Sequence, residues 1–208
     1  MPERSPFHGS YLPNKDKYYA LRAAYKNIYF SSVNTQYAEE RVIKRSDNED
    51  RRHTRIDEIR EMGRYMKDRF EMAVRDYPGA PFQVVDAPGP QTFVVELALT
   101  EVNPTLTPVN IAGTVSGFLV PGSGLVRLLG SGSVSMEGIV RDGITNEILV
   151  EFKDREADKN SAFSVKDFQQ YAHVRASIDE WSQQFAELTA TPADHQVKDS
   201  LPFTLRPF

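Results

Sequence analysis

Three carboxylates at alternate positions, Asp154, Glu156 and Asp158, form a compact cluster of groups that could do chemistry. Side chains two apart on a β-strand share a face, so this spacing would let the three converge. Such a set could hold Ca²⁺ or supply an acid/base pair. Their mutual repulsion would then call for a nearby cation, for which Arg141 and Arg175 are the candidates. The plainer reading is a frayed, solvated strand end among Lys153, Arg155 and Lys159. We expect the plainer one, so Asp154, Glu156 and Asp158 stand as metal candidates with no metal or cofactor assigned.

Other chemistry is harder to find. The histidines, His8, His53, His173 and His195, show no HxH, HxxxH or HExxH spacing, so no zinc-protease site is encoded locally. His173, beside Tyr171, is expected to be a packed or surface histidine. The stretch GTVSG, Gly113 to Gly117, puts its serine at the wrong place for a nucleophile elbow. Gly122 and Gly124 suggest a phosphate-cradling loop, but the Lys-Ser/Thr of a P-loop is missing, as is the dinucleotide fingerprint. The chain has no cysteine, which removes disulfides, thiolate nucleophiles and cysteine-based zinc sites. No catalytic motif emerges, and a hydrolase with dispersed residues is left only as an alternative.

Composition narrows the partners. Lys and Arg number 25 against 29 Asp and Glu, a net charge of −4, and the basic residues are interleaved with acids. Nucleic-acid binding needs clustered cations to release counterions, so it is not expected. The run from Lys44 to Arg55 reads as a solvated surface. Val102 to Val126 carries no charge, but Pro104, Pro108, Pro121 and several Gly and Ser break it, so no spanning helix is expected there. The first residues lack an apolar signal region.

These groups need elements to place them. A short helical piece around Tyr18 to Ala24 leads into a strand-like stretch, Asn27 to Thr35, and the preceding FHGSYLPNKDKY reads as a surface loop. From Arg55 to Tyr77, Ile56, Ile59, Met66, Phe70, Ala73, Val74 and Tyr77 draw one helical stripe, with Gly63 on it, and Pro78-Gly79 stops the helix. FQVVDAPGP suggests a short strand and a turn. Phe93, Val95, Leu97 and Leu99 alternate with Val94, Glu96, Ala98 and Thr100, the pattern of a strand with one dry face. Val134, Met136 and Val140, with Gly138 between them, then Ile148, Val150 and Phe152, predict a hairpin closed by DGITNE, in which Gly143 and Asn146 tolerate positive φ. A last helix is predicted from Ser164 to Leu188, with Ser164 and Asp167 near its start and Phe168, Tyr171, Ala172, Ile178, Trp181, Phe185 and Leu188 as its stripe.

Strand, helix, strands, a glycine-rich connection, strands, helix: this order predicts an α+β fold. Its sheet is antiparallel or mixed, with two long helices packed on one face. We place an N-terminal arm at 1–24, a single domain at 25–190 and an extended tail at 191–208. The uncharged glycine-rich connection (Gly113, Gly117, Gly122, Gly124) and the strand end (Asp154, Arg155, Glu156) are the candidate partner-binding surface, because loose backbone gains order from contact.

Several stretches carry a family resemblance. They are VVDAPGPQTFVVELALTEVNPT, VNIAGTVSGFLVPGSG, GSVSMEGIVRDGITNEILVEFKDREADK and WSQQFAEL. Together with HGSYLPNKDKYYAL and YKNIYFSSVNTQ they resemble the domain of unknown function 3313, over roughly Phe7 to Leu188. That family consists of uncharacterised bacterial envelope lipoproteins. The resemblance implies a periplasmic location, held at the outer membrane by an N-terminal lipid on a cysteine that is not among these residues. It supplies no catalytic residues. The hairpin RDGITNEIL is similar, more loosely, to curli-export-like families, which puts ring-forming assembly among the alternatives. The expected role is a non-enzymatic interaction or assembly module. Its partners would be envelope proteins, with self-association open and a small-ligand or divalent-metal-binding protein as the alternative.

Overall fold

The computed structural model describes residues 5–45, 48–103, 132–157 and 171–199. The mixed sheet and helices predicted above are present. Six strands form one sheet: β1 (Gly9–Tyr11), β2 (Asn27–Phe30), β3 (Gln83–Val84), β4 (Thr92–Asn103), β5 (Ser133–Asp142) and β6 (Ile148–Ala157), in the order β1-β6-β5-β4-β2-β3. β2 runs parallel to β3 and β4, and the other pairings are antiparallel. Among the described residues the sheet is not closed, and four helices accompany it: α1 (Lys15–Ala24), α2 (Gln36–Arg45), α3 (Glu49–Asp76) and α4 (Ala172–Ala190).

The long β4–β5–β6 ladder follows from the alternation. Val95 faces Val140, Leu97 faces Gly138 and Leu99 faces Met136, while Phe152 lies opposite Gly138 on the other side. This is the dry face, and α3 and α4 lie on it. Gly138 is needed there because a Cβ would sit 2.1 Å from Cζ of Phe152. The ring of Phe152 is itself wedged between Phe7 at 5.0 Å and Phe185 at 5.7 Å. Phe70 and Phe185, 5.5 Å apart, join the two long helices. A register shift between Val140 and Arg141 turns Leu149 inward to 1 % exposure, so the stripe of Ile148, Val150 and Phe152 is not as regular as its letters imply.

The hairpin turn is built on Asp142. Its Oδ1 accepts from the amides of Ile144 (2.8 Å) and Thr145 (3.0 Å), and its Oδ2 accepts from the Tyr25 hydroxyl (2.8 Å). Asn146 takes φ of 61°, as expected for the turn. Gly143 is required for a different reason: its N–H donates to Thr92 O, and a Cβ would lie 2.6 Å from that same oxygen.

Three elements differ from the sequence reading. The N-terminal loop contains β1, which pairs with Glu151 to Lys153 of β6, and it buries Phe7. α3 starts at Glu49, because the Asn48 side chain caps it by accepting from Arg51 N and Glu49 and Asp50 fill its first turn. α2, unforeseen, is held by Arg60 to Glu39 (2.9 Å) and Arg41 to Glu101 (3.1 Å). Ser164, Asp167 and Phe168 lie outside the described residues. Among those described, α4 begins at Ala172, with no side-chain cap at Tyr171.

Candidate functional site

The strand end of β6 departs from its expected solvated state. Asp154 and Glu156 are 4 % and 6 % exposed, because they alternate with Phe152 on the helix-covered face. Asp154 is a junction. Its Oδ2 accepts from Trp181 Nε1 of α4 at 2.7 Å. Its Oδ1 accepts from the His8 amide at 3.3 Å, from the His8 imidazole Nδ1 and from the Arg155 amide at 2.9 Å. An ionised carboxylate is acceptor-only and an indole is donor-only, so this pairing is well matched. It ties the N-terminal strand, β6 and α4 together at one point.

The group beside this carboxylate is therefore His8, a cation when protonated, and not Arg141 or Arg175. Arg141 lies on the opposite sheet face and pairs with Glu96 at 2.9 Å. Arg175 pairs with Glu61 of α3 at 2.8 Å, above the Tyr65 ring. The hydrogen bond to Asp154 raises the His8 pKa above its ordinary value, against a smaller opposing effect of burial. Asp199 and Glu156 add to the rise.

Arg155 points the other way and is exposed. It donates to Glu101 Oε1 at 3.2 Å, which Asn103 Nδ2 (2.8 Å) and the Ser133 hydroxyl also reach. Glu101 Oε2 takes Arg41. Burial pushes the Glu101 carboxyl up, but the Ser133 and Arg155 bonds outweigh it and hold the group below its ordinary range. Asn103 and Ser133, the described strand residues nearest the glycine-rich stretch on either side in sequence, are cross-strand partners. Gly113, Gly117, Gly122, Gly124 and Asp158 lie outside the described residues.

The pattern of one sequence family matches residues 15–185, under the description "Protein of unknown function (DUF3313)". The chain belongs to that family. No curated protein matches it. Among solved structures it is similar to the PelC dodecamer from Paraburkholderia phytofirmans in space group P6, with 9 % identity and a TM-score of 0.39. That match covers 77 % of this chain and 87 % of PelC. A point variant of the same dodecamer in space group C2 gives 9 % identity and a TM-score of 0.38, covering 78 % and 87 %.

In this DUF3313 protein the described residues contain no group of three or more His, Cys, Asp or Glu placed to hold a metal. Both Asp154 oxygens already accept hydrogen bonds, Oδ2 from Trp181 and Oδ1 from His8 and the Arg155 amide. No described helix is long and apolar enough to cross a membrane. The sequence reading missed His8, Trp181 and Glu101. Trp181 was placed on the core stripe, but nothing local pairs its N–H with a residue 27 positions away, or His8 with one 146 away.

Proposed function

We propose that this chain is a non-enzymatic protein of the bacterial envelope whose work is protein–protein interaction or assembly. The observation that carries the reading is the sheet face opposite α3 and α4, which among the described residues α2 borders at Thr100 and Glu137. Helices α3 and α4 pack over the dry face. The opposite face presents half-buried Val94, Ala98 and Ile139 among Glu96, Glu137, Glu151, Arg141, Lys153 and Arg155. An apolar strip set among three carboxylates and three cations suits another folded surface, since a polyanion would need clustered positive charge. Arg155 and Glu101 lie at the end of this face beside Ser133 and Asn103, and this strand end is the partner surface we propose. The envelope location rests on the family resemblance.

The test is a photo-cross-linker placed at Glu137 or Arg155 in cells, followed by envelope fractionation and light scattering of the purified chain. Cross-links to a defined envelope protein or to a second copy, lost on Ile139→Lys with the melting temperature unchanged, are expected. A monomer that gives no cross-link from either position would refute the reading.

A further inference from the structure

The segment from Ser5 to Leu12 holds to the rest of the chain through few described contacts. β1 contributes three residue pairs, Gly9 to Tyr11 against Lys153 to Glu151, at one edge of the sheet. Phe7 is buried on the Phe152 ring, and Leu12 packs partly on the core. Phe7, Ser10 and Leu12 form one wall of a half-open pocket of about 50 Å³ whose other wall includes Phe152 and Phe185, so the segment covers this part of the core without filling it. The remaining tie is His8, whose amide and imidazole both reach Asp154 Oδ1.

The elements beside this segment are anchored without it. β6 pairs with β5 along its inner side, from Ile148 to Ala157. α1 is capped by Asn14 and buries Tyr18, and its Arg22 donates to the carbonyls of Thr189 and Thr191. Leu12 and Pro13 lead into that cap, and proline has no N–H with which to continue a strand ladder. Asp154 keeps the Trp181 indole and the Arg155 amide when His8 leaves, so no buried charge is abandoned.

We propose that residues 5–12 form a strap that detaches from β6 as a unit while the rest of the fold stays closed, with the His8–Asp154 contact as its proton-operated latch. Ordering each strap residue costs backbone entropy, and a short edge strand with few partners sits at the low end of local stability. Detachment bares the outer backbone groups of Glu151 to Lys153 and the Phe152 ring, an edge that the closed strap covers. The sign of the latch follows from what faces His8. Asp154 and Glu156 of β6 and Asp199 of the C-terminal segment all favour its protonated form and raise its pKa, while Lys153 and Arg155 alternate with these acids and lie on the other face of β6. The latch is therefore fully engaged below 6.5 and loosens as pH rises through the raised value.

Amide hydrogen exchange of the full chain, read by mass spectrometry and corrected for the intrinsic effect of pH, measures the opening. Peptides covering β1 should exchange at least roughly tenfold faster than those of β5. The β1 opening constant should rise about two- to fivefold as pH passes from below 6.5 through the raised value. His8→Ala and His8→Gln should both exchange faster in β1 at low pH and lose that step. Tyr11→Cys with Glu151→Cys, register partners in a chain without other cysteines, should form a disulfide that slows β1 exchange to the β5 rate, and reduction should restore it. If the disulfide does not form, the two His8 variants decide. Equal exchange of β1 and β5 in the wild type, a flat pH profile, or a step that persists in both His8 variants would overturn the proposal.

Discussion

Replacing Asp154 with alanine tests the junction that joins the N-terminal strand to the last helix. The variant strands the Trp181 N–H, which donates to Asp154 over 2.7 Å in a buried setting. A hydrogen bond to a charged group is worth about 1.5–3 kcal/mol, and the abandoned donor adds to the loss. The His8 amide bond contributes about 1 kcal/mol more. The imidazole side is 59 % exposed and solvent-screened, so it adds at most about 1 kcal/mol. These losses overlap, and the total falls at about 3–5 kcal/mol, the range for removing one partner of a buried charged pair. In a chain of this size that lowers the melting temperature by about 6–20 °C. Trp181→Phe should cost less in the Asp154→Ala background than in the wild type, with a coupling of about 1.5–3 kcal/mol. The His8 contribution also has a pH signature. Its folded pKa is raised above 6.5, so the stabilisation is complete below that value and is lost as pH rises through the raised one. Urea denaturation of wild type and His8→Ala across that window reads it directly. An Asp154→Ala variant within about 1 kcal/mol of wild type, or a His8→Ala difference that does not shrink with rising pH, would refute the reasoning.

Gly138→Ala should destabilise by about 1–3 kcal/mol through overpacking, after a gain of about 0.5–1 kcal/mol from replacing a strand glycine. Phe152→Leu in the same chain should recover part of the loss in thermal melts. At Asp142, burial pushes the carboxyl up, but the amides of Thr145 and Ile144 and the Tyr25 hydroxyl outweigh it and hold the group below 3.8. Its stabilisation is therefore present above that value and is lost as pH falls through the lower folded one, and Asp142→Asn should remove this part of the acid limb. Tyr25, pushed up to about 12 by burial and by the neighbouring Asp142, should ionise late in an ultraviolet titration, and earlier in the Asp142→Asn variant.

What could be read from the sequence was what repeats locally. Two-residue alternation located β4 and the β5–β6 hairpin. The three-and-four spacing from Ile56 to Tyr77 located α3, and that from Ile178 to Leu188 located α4. Each of these elements keeps its dry side over several turns or residue pairs, so tertiary contacts reinforce a signal already present. β1 has only three residues, Gly9 to Tyr11, and too short a period to register. α2 lacks a long apolar stripe and is anchored through Glu39 and Glu101, which are charges paired across elements.

The buried carboxylates show where local reading stops. Asp154 and Glu156 alternate with lysine and arginine, and that string of letters is the same whether the acids face water or the core. What decides between the two is whether a donor arrives from elsewhere to replace solvent. At Asp154 the donors come from a histidine at one end of the chain and a tryptophan near the other, and neither is spaced to announce the meeting. An acid can leave water only where such partners are already fixed. The burial of Asp154 is thus a consequence of α4 and β1 docking on β6. The features that set this chain apart from a plain sheet-and-helix frame therefore lie at contacts between distant segments, where pattern reading has no purchase.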